Sequence, residues 1–361
     1  MKLFLAALAA FLAATVYLHV QSSGRQAGNT LVIAVSGGSL GAGRVQAMVE
    51  PFMKETGIRV VVLRDQIQAP QLRLAVDSGE MRVDVTTLSP AEGVMAGNDG
   101  YLVPIDYRLY PPDLLKGFDR SQLQPWGVGN FYFGLVLGIR DPAYPDPAKG
   151  PATWADFWDT RRFPGQRTLM SGETGADGPW EEALLADGVA PDKLYPLDVD
   201  RAFRSLDRIR PHIRKWWTLG SEATQLFSNA AVDLGMNFDG RIQALVAAGK
   251  PVRMSYAQIK RSGVYWVIPR GAPHVANAQK FIAFASRADR QAELARLTGY
   301  SPTNRDALAL LPPEIAAHML SHPDIMRHTF AYDPQWYARK DASGRTNAAR
   351  LAERWNKWIV K

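Results

Sequence analysis

The chain is 361 residues long, 47% hydrophobic and 21% charged, and its 42 Lys+Arg against 35 Asp+Glu give a formal charge of +7. At about 150 residues per domain that length predicts two domains, and the balance excludes a disordered chain, a collagen-like repeat and a multi-span membrane protein. The chain has no cysteine. That excludes disulfides, thiolate nucleophiles, Fe–S clusters, Cys-ligated zinc and lipid attachment at an N-terminal cysteine.

Residues 1–22 are expected to be a signal peptide. Lys2 supplies a positive start, Leu3 to Val20 is an apolar run broken only by His19, and Gln21-Ser22-Ser23-Gly24 turns polar. Export to the periplasm follows, with the segment either cleaved or kept as an anchor, since the run is just long enough to span a bilayer.

Downstream, β-like and helical runs alternate. Leu31–Val35 is a short apolar run that stops at Ser36-Gly37-Gly38-Ser39. Arg44–Thr56 carries Val45, Met48, Val49 and Phe52 at helical spacing and ends at Gly57. Arg59–Leu63 reads as a buried strand, Pro70–Ser78 as a helix and Val83–Leu88 as a strand, the pattern of an α/β layer with a parallel sheet. Phe131–Ile139 is a long apolar strand leading into a proline-punctuated connection at 141–147. A second α/β stretch follows: helices at Trp154–Trp158, Pro179–Gly188, Val199–Ile209 and Gly240–Ala248, and strands at Arg167–Met170 and Val232–Met236. Tyr265–Ile268 is a further β-like crossing, and helices follow at Asn277–Ala285, Asp289–Leu297 and Arg345–Ile359.

The sequence holds no HExxH, GxSxG, SxxK or kinase signature. His318 and His322 are four apart, but Pro323 follows and no acid is placed to help, so no metal site is expected. The Gly-rich segment Ser36–Gly43 lacks the P-loop and dinucleotide spacings. It is either a tight strand-to-helix turn or a loop gripping a polar ligand at a helix N-terminus, and both can hold. The densest basic patch is Arg208, Arg210, Arg214 and Lys215 beside Trp216-Trp217; it reads better as a solvated helix end than as a nucleic-acid surface. No assembled nucleophile, base or metal set is present, so the chain is not expected to be an enzyme or to need a cofactor.

An ordered series of segments resembles the periplasmic solute-binding proteins of ABC importers, the spermidine/putrescine-type binders in particular. The series is Asn29-Thr30-Leu31 with Phe52–Val60; Thr153–Trp158 with Phe163-Pro164-Gly165; Val232–Gly240; Val267-Ile268-Pro269 with Ala278–Ser286; and Thr298–Asn304. It covers roughly residues 29–310. The resemblance implies an α/β fold of two lobes with crossing strands at a hinge: residues 30–133 plus 265–308 in lobe 1, and 134–264 plus 309–361 in lobe 2. It implies a monomer that closes on one small solute and presents the closed form to an inner-membrane ABC permease, without catalysis.

By position the resemblance places Ser36, Ser39 and Ser89 on loops at strand ends. Phe238 stands where polyamine binders keep a Trp, and Tyr300 at their Tyr. Departures accompany these matches. The family's Trp-x-Asp aligns with Ser262-Gly263-Val264 and lacks the acid. Its acid pair ahead of the Trp180 helix aligns with Gly175 and Gly178, with Glu173 and Asp177 close by. Asp239-Gly240-Arg241 puts a guanidinium, suited to bidentate grip on a carboxylate, just past the aromatic position. The expected solute is therefore amine-containing and polyamine-like; the alternatives are a zwitterion or small anion held by Arg241, its amine meeting Asp239 or Glu173/Asp177, or a signal-anchored sensory module.

Overall fold

A computed structural model describes residues 28–360. The expected signal segment lies outside the described residues. Among the described residues no helix is long and apolar enough to cross a membrane.

The chain opens with β1 (Thr30–Ala34), whose residues are almost all buried. A sharp turn follows, set by Gly41: a Cβ there would lie 1.8 Å from the Ser36 carbonyl oxygen. Only glycine lets the backbone fold back that tightly. One long helical segment then runs through α1 (Gly38–Arg44), a π-helical stretch (Val45–Val49) and α2 (Glu50–Thr56), so the helix begins six residues earlier than its apolar periodicity indicates. Gly57, at φ 70°, ends it. β2 (Arg59–Leu63) pairs parallel with β1. It was expected to be buried, but its residues are half-exposed or exposed because β1 is its only strand partner. α3 (Ala69–Asp77) leads to Val85, which bridges parallel to Ile33, and to β3 (Thr86–Leu88). α4 (Pro90–Asn98) follows directly.

The centre of the molecule is a pair of long antiparallel strands, β4 (Gly127–Arg140) and a strand from Ile259 to Val267. They are in register from Val128 opposite Trp266 to Leu135 opposite Lys260, with an irregularity between Val264 and Tyr265. These are the expected crossings, each extended beyond the sequence reading. They join two cores. Val128, Phe131 and Trp266 pack with β1 and α2 residues such as Ile33 and Phe52. Leu135, Leu137 and Ile139 of the same β4 pack instead in a cluster rich in tryptophan, with Trp154, Trp180, Trp217, Trp355 and Trp358. One strand thus feeds two hydrophobic clusters, the arrangement a two-lobed α/β fold requires.

The second core is built from α5 (Trp154–Trp158), β5 (Arg167–Met170), α6 (Trp180–Ala186), α7 (Val199–Ile209), β6 (Ile213–Trp217), α8 (Gly220–Ser228) and β7 (Leu234–Phe238); α9 (Asp239–Ala247) follows and packs Ile242 and Leu245 into a smaller cluster with Val136, Phe227 and Leu320. The crossing strand Ile259–Val267 is β8. α10 (Val275–Ala285) and α11 (Ala288–Thr298) return to the first core. β9 (Thr329–Ala331), α12 (Pro334–Ala338) and α13 (Asn347–Ile359) complete the second. The main sheet runs β9-β8-β4-β7-β5-β6.

β6 was not read from the sequence. It is an edge strand whose Arg214 and Lys215 face water, as an edge needs. Three members of the basic patch also have partners within the molecule. Arg208 pairs with Asp187, Arg210 donates to the Trp358 and Ile359 carbonyl oxygens at the end of α13, and Lys215 meets Glu222 at 3.1 Å.

Candidate functional site

Phe238 ends β7 and Asp239 begins α9 with no residue between them. The Phe238 ring stands edge-on to Phe133 of β4 at 5.3 Å and to Trp217 of β6 at 5.7 Å. Strand alternation puts Phe131 on the same sheet face as Phe133. Together these rings form an apolar wall.

Asp239 is wholly buried. Its Oδ1 accepts the Gly134 N–H at 3.0 Å, while Oδ2 has no partner. That N–H lies in the gap along β4 between the last β7 pairing, at Leu135, and the pairing of Ser301-Pro302 with Tyr132 and Phe131. Asp239 thus satisfies a donor of the crossing strand that would otherwise be orphaned. Burial pushes its carboxyl up to about 7, against the backbone N–H bonds that pull it down.

Arg241 lies one turn into α9 and is half-buried, and its Nε has no partner. Gly220 makes room for it. A Cβ at 220 would come 2.7 Å from the Phe238 ring and 2.8 Å from Arg241 Nε.

Tyr300 follows Gly299, which caps α11 at φ 74°. Its ring stacks on Phe131 at 4.9 Å and 27°, and it lies over Gly240, where a Cβ would meet it at 3.0 Å. Burial first, then the Asp239 charge, push the hydroxyl up to about 12, while Arg241 and Arg44 pull it back. One hydroxyl therefore feels all three charged side chains.

Arg44 escaped the sequence reading. It ends α1, is 1% exposed, and places its guanidinium 5.3 Å from the Phe131 ring centre and 5.1 Å from that of Trp266. Its Nη1 donates to Ser36 Oγ at 3.3 Å and its Nε has no partner. Desolvation lowers it to about 9, which leaves it charged at neutral pH. A signal existed: positions 44, 48 and 52 share a helix face, and a charge stands there in line with Met48 and Phe52.

The other expected site residues fall into separate places. Ser36 is held by Arg44, whereas Ser39 is exposed. Ser89 is the N-cap of α4; its Oγ and N–H both donate to Glu92 Oε2, at 2.7 and 3.0 Å, so its hydroxyl proton is engaged in capping. Glu173 is exposed.

Asp177 belongs to a different group. Burial and the Glu92 charge push it up to about 6, against Lys260. Lys260 in turn is buried, with Nζ 2.9 Å from Glu181, 3.0 Å from Glu182 and 2.9 Å from the Gly178 carbonyl oxygen. Register aligns Lys260 with Leu135 and Leu135 with Phe238, so this acidic group shares the sheet face of the aromatic wall, two strands away at about 10 Å. Among the described residues, no hydrogen bond, ion pair or ring contact joins Ser39, Ser89, Glu173 or Asp177 to Tyr300, whose ring meets Phe131 and whose N–H faces Thr298.

Residues 47–321 match the family described as bacterial extracellular solute-binding protein. The gamma-aminobutyric acid-binding protein of Pseudomonas aeruginosa is 28% identical over 339 residues, covering 92% of this chain and 91% of that relative. The solved structure of the Atu4243-GABA receptor is 34% identical with a TM-score of 0.81, covering 91% of this chain and 97% of that one. An ABC transporter substrate-binding protein from Bradyrhizobium japonicum is 30% identical with a TM-score of 0.83, covering 91% and 99%. With two α/β cores joined by crossing strands and an aromatic, charged group beside the crossing, this chain belongs to the extracellular solute-binding proteins, the non-enzymatic substrate-binding components of ABC transporters, which work with a membrane permease.

Proposed function

We propose that the solute captured is a small zwitterion, an amino acid of the γ-amino type, held between residues 30–133 plus 265–308 and residues 134–264 plus 309–361. The carrying observation is that Asp239 and Arg241 flank Tyr300 with Oδ2 and Nε both unpartnered. A buried charge without a partner costs several kcal/mol. A ligand bringing one ammonium to Asp239 and one carboxylate to Arg241 supplies both partners, and Phe131, Phe133, Phe238 and Tyr300 enclose its methylenes. A diamine pairs with Asp239 and leaves Arg241 bare. The γ-aminobutyrate binders among the relatives support this choice over a polyamine. The protein is expected to act as a periplasmic monomer delivering to its permease.

Calorimetric titration of the purified protein with γ-aminobutyrate, putrescine and glutarate tests the reading. γ-Aminobutyrate is expected to bind at least tenfold tighter than the other two. Asp239→Asn and Arg241→Ala should each weaken it at least tenfold, about 1.4 kcal/mol. Tighter binding of putrescine than of γ-aminobutyrate overturns it.

A further inference from the structure

We infer that the solute carries a second carboxylate, and that Arg44 is the residue that holds it; this deepens the zwitterion reading and rests on it. Around Tyr300 the charges do not balance for a simple zwitterion. Arg44 and Arg241 supply two guanidiniums, and Asp239 one carboxylate. Among the described residues no carboxylate forms an ion pair with Arg44, which is 1% exposed, or with Arg241. One ammonium and one carboxylate neutralise Asp239 and one arginine, and leave the other arginine desolvated and unpaired.

The surroundings of Arg44 are rich in donors. Its Nε, the indole Nε1 of Trp266 and the hydroxyl of Thr87 are all buried without a partner. Trp266 lies under the guanidinium, and β-sheet register puts Thr87 beside Trp266. Indole N–H and guanidinium can only donate. Such a group is complementary to a carboxylate, whose oxygens only accept. The stacking of Arg44 between Phe131 and Trp266 fixes the planar fork in advance. The side chain projects from the first core, whereas Arg241 projects from the first turn of α9, directly after β7 of the second. A solute with one ammonium and two carboxylates therefore ties the two halves together through two separate ion pairs.

The test compares γ-aminobutyrate with L-glutamate and with N-carboxymethyl-γ-aminobutyrate by calorimetry on the full protein. At least one of the two diacids is expected to bind at least tenfold tighter than γ-aminobutyrate. Arg44→Gln should weaken that diacid at least tenfold more than it weakens γ-aminobutyrate, and Arg44→Lys should recover part of the difference. If Arg44→Gln does not fold, the wild-type ranking of the ligands and the Arg44→Lys variant still decide the matter. γ-Aminobutyrate bound with no gain from either diacid, or a gain that survives loss of the guanidinium, overturns the assignment of Arg44 alone. Putrescine bound with all three acids silent overturns the zwitterion reading as well.

Discussion

Asp239 serves the fold with one oxygen and, in the function proposed, the solute with the other. Oδ1 holds the Gly134 N–H, and Oδ2 faces no partner. Its folded-state value of about 7 lies above the ordinary 3.8. A raised carboxylate binds its proton more tightly folded than unfolded. Its contribution to the stability of the ligand-free protein is therefore full below pH 3.8 and is lost as pH rises through about 7. A ligand ammonium needs the ionised form, so affinity should move the opposite way. Between pH 8 and pH 5.5 the affinity for an amino acid is expected to fall about tenfold or more, and Asp239→Asn should flatten that profile. Titrations across the range check it; the neighbouring hydroxyls of Tyr300 and Tyr256, both raised by burial, keep their protons throughout it. Gly220 offers a second measurement. The added Cβ of Gly220→Ala would displace the Phe238 ring and Arg241, and at least a tenfold loss of affinity with a smaller loss of stability is expected.

Much of this residue set was legible. Phe238, Asp239 and Arg241 stand out because a strand end meets a helix start there, and Tyr300 because Thr298-Gly299-Tyr300 closes a helix. Arg44 was overlooked despite standing in line with Met48 and Phe52, since a helix drawn from its apolar positions starts at that residue and treats it as an exposed end. What the sequence did not show is that the Ser89 hydroxyl is engaged in capping α4 and that Glu173 faces solvent, since a hydroxyl or acid near a strand end serves either use.

Among the elements, β4 and β8 determine the architecture; β4 showed as a long apolar run because a strand covered on both faces loses the polar alternation, whereas only the end of β8, Tyr265–Val267, was legible, since Lys260-Arg261-Ser262-Gly263 interrupts the apolar run in its first half. β6 and α8 were hidden for the opposite reason. An edge strand carrying Arg214 and Lys215 and a helix carrying Ser221, Glu222, Thr224 and Gln225 present little apolar periodicity. β8 is also fastened through Lys260, which reaches across to the first turn of α6 and meets Glu181 and Glu182. Glu181 in turn accepts hydrogen bonds from Tyr195 and, at 2.6 Å, from Tyr337. Removing one partner leaves buried carboxylates uncompensated. Lys260→Met is expected to cost about 3–5 kcal/mol, read as a lowered midpoint in urea unfolding; a loss below 1 kcal/mol would show that the acids simply take up protons.

At the scale of the whole molecule, two cores meet along two strands and through α4, whose Ala91 packs into the second core. Lys340 adds a bridge to Asp99 at the end of that helix, at 2.8 Å. We expect such a joint to let one half rotate against the other, the motion by which binding proteins enclose a solute. Ligand at 100 times its Kd should raise the stability by about 2.7 kcal/mol and the melting temperature by about 5 °C. Small-angle scattering should register a smaller radius of gyration with ligand than without, and an unchanged radius would count against closure.

The edge-to-face contact of Phe238 with Trp217 has a spectroscopic consequence. Trp217 is buried, its indole N–H donates to the Met236 carbonyl oxygen at 3.0 Å, and it stands directly behind the aromatic wall. A solute pressing on Phe238 alters the field around that indole. A solute bound as proposed is therefore expected to change the emission of Trp217, one of ten tryptophans in the sequence, and Trp217→Phe should remove that part of the change. Because the sequence is free of cysteine, any thiol introduced for an energy-transfer partner would be the single labelling point in the molecule.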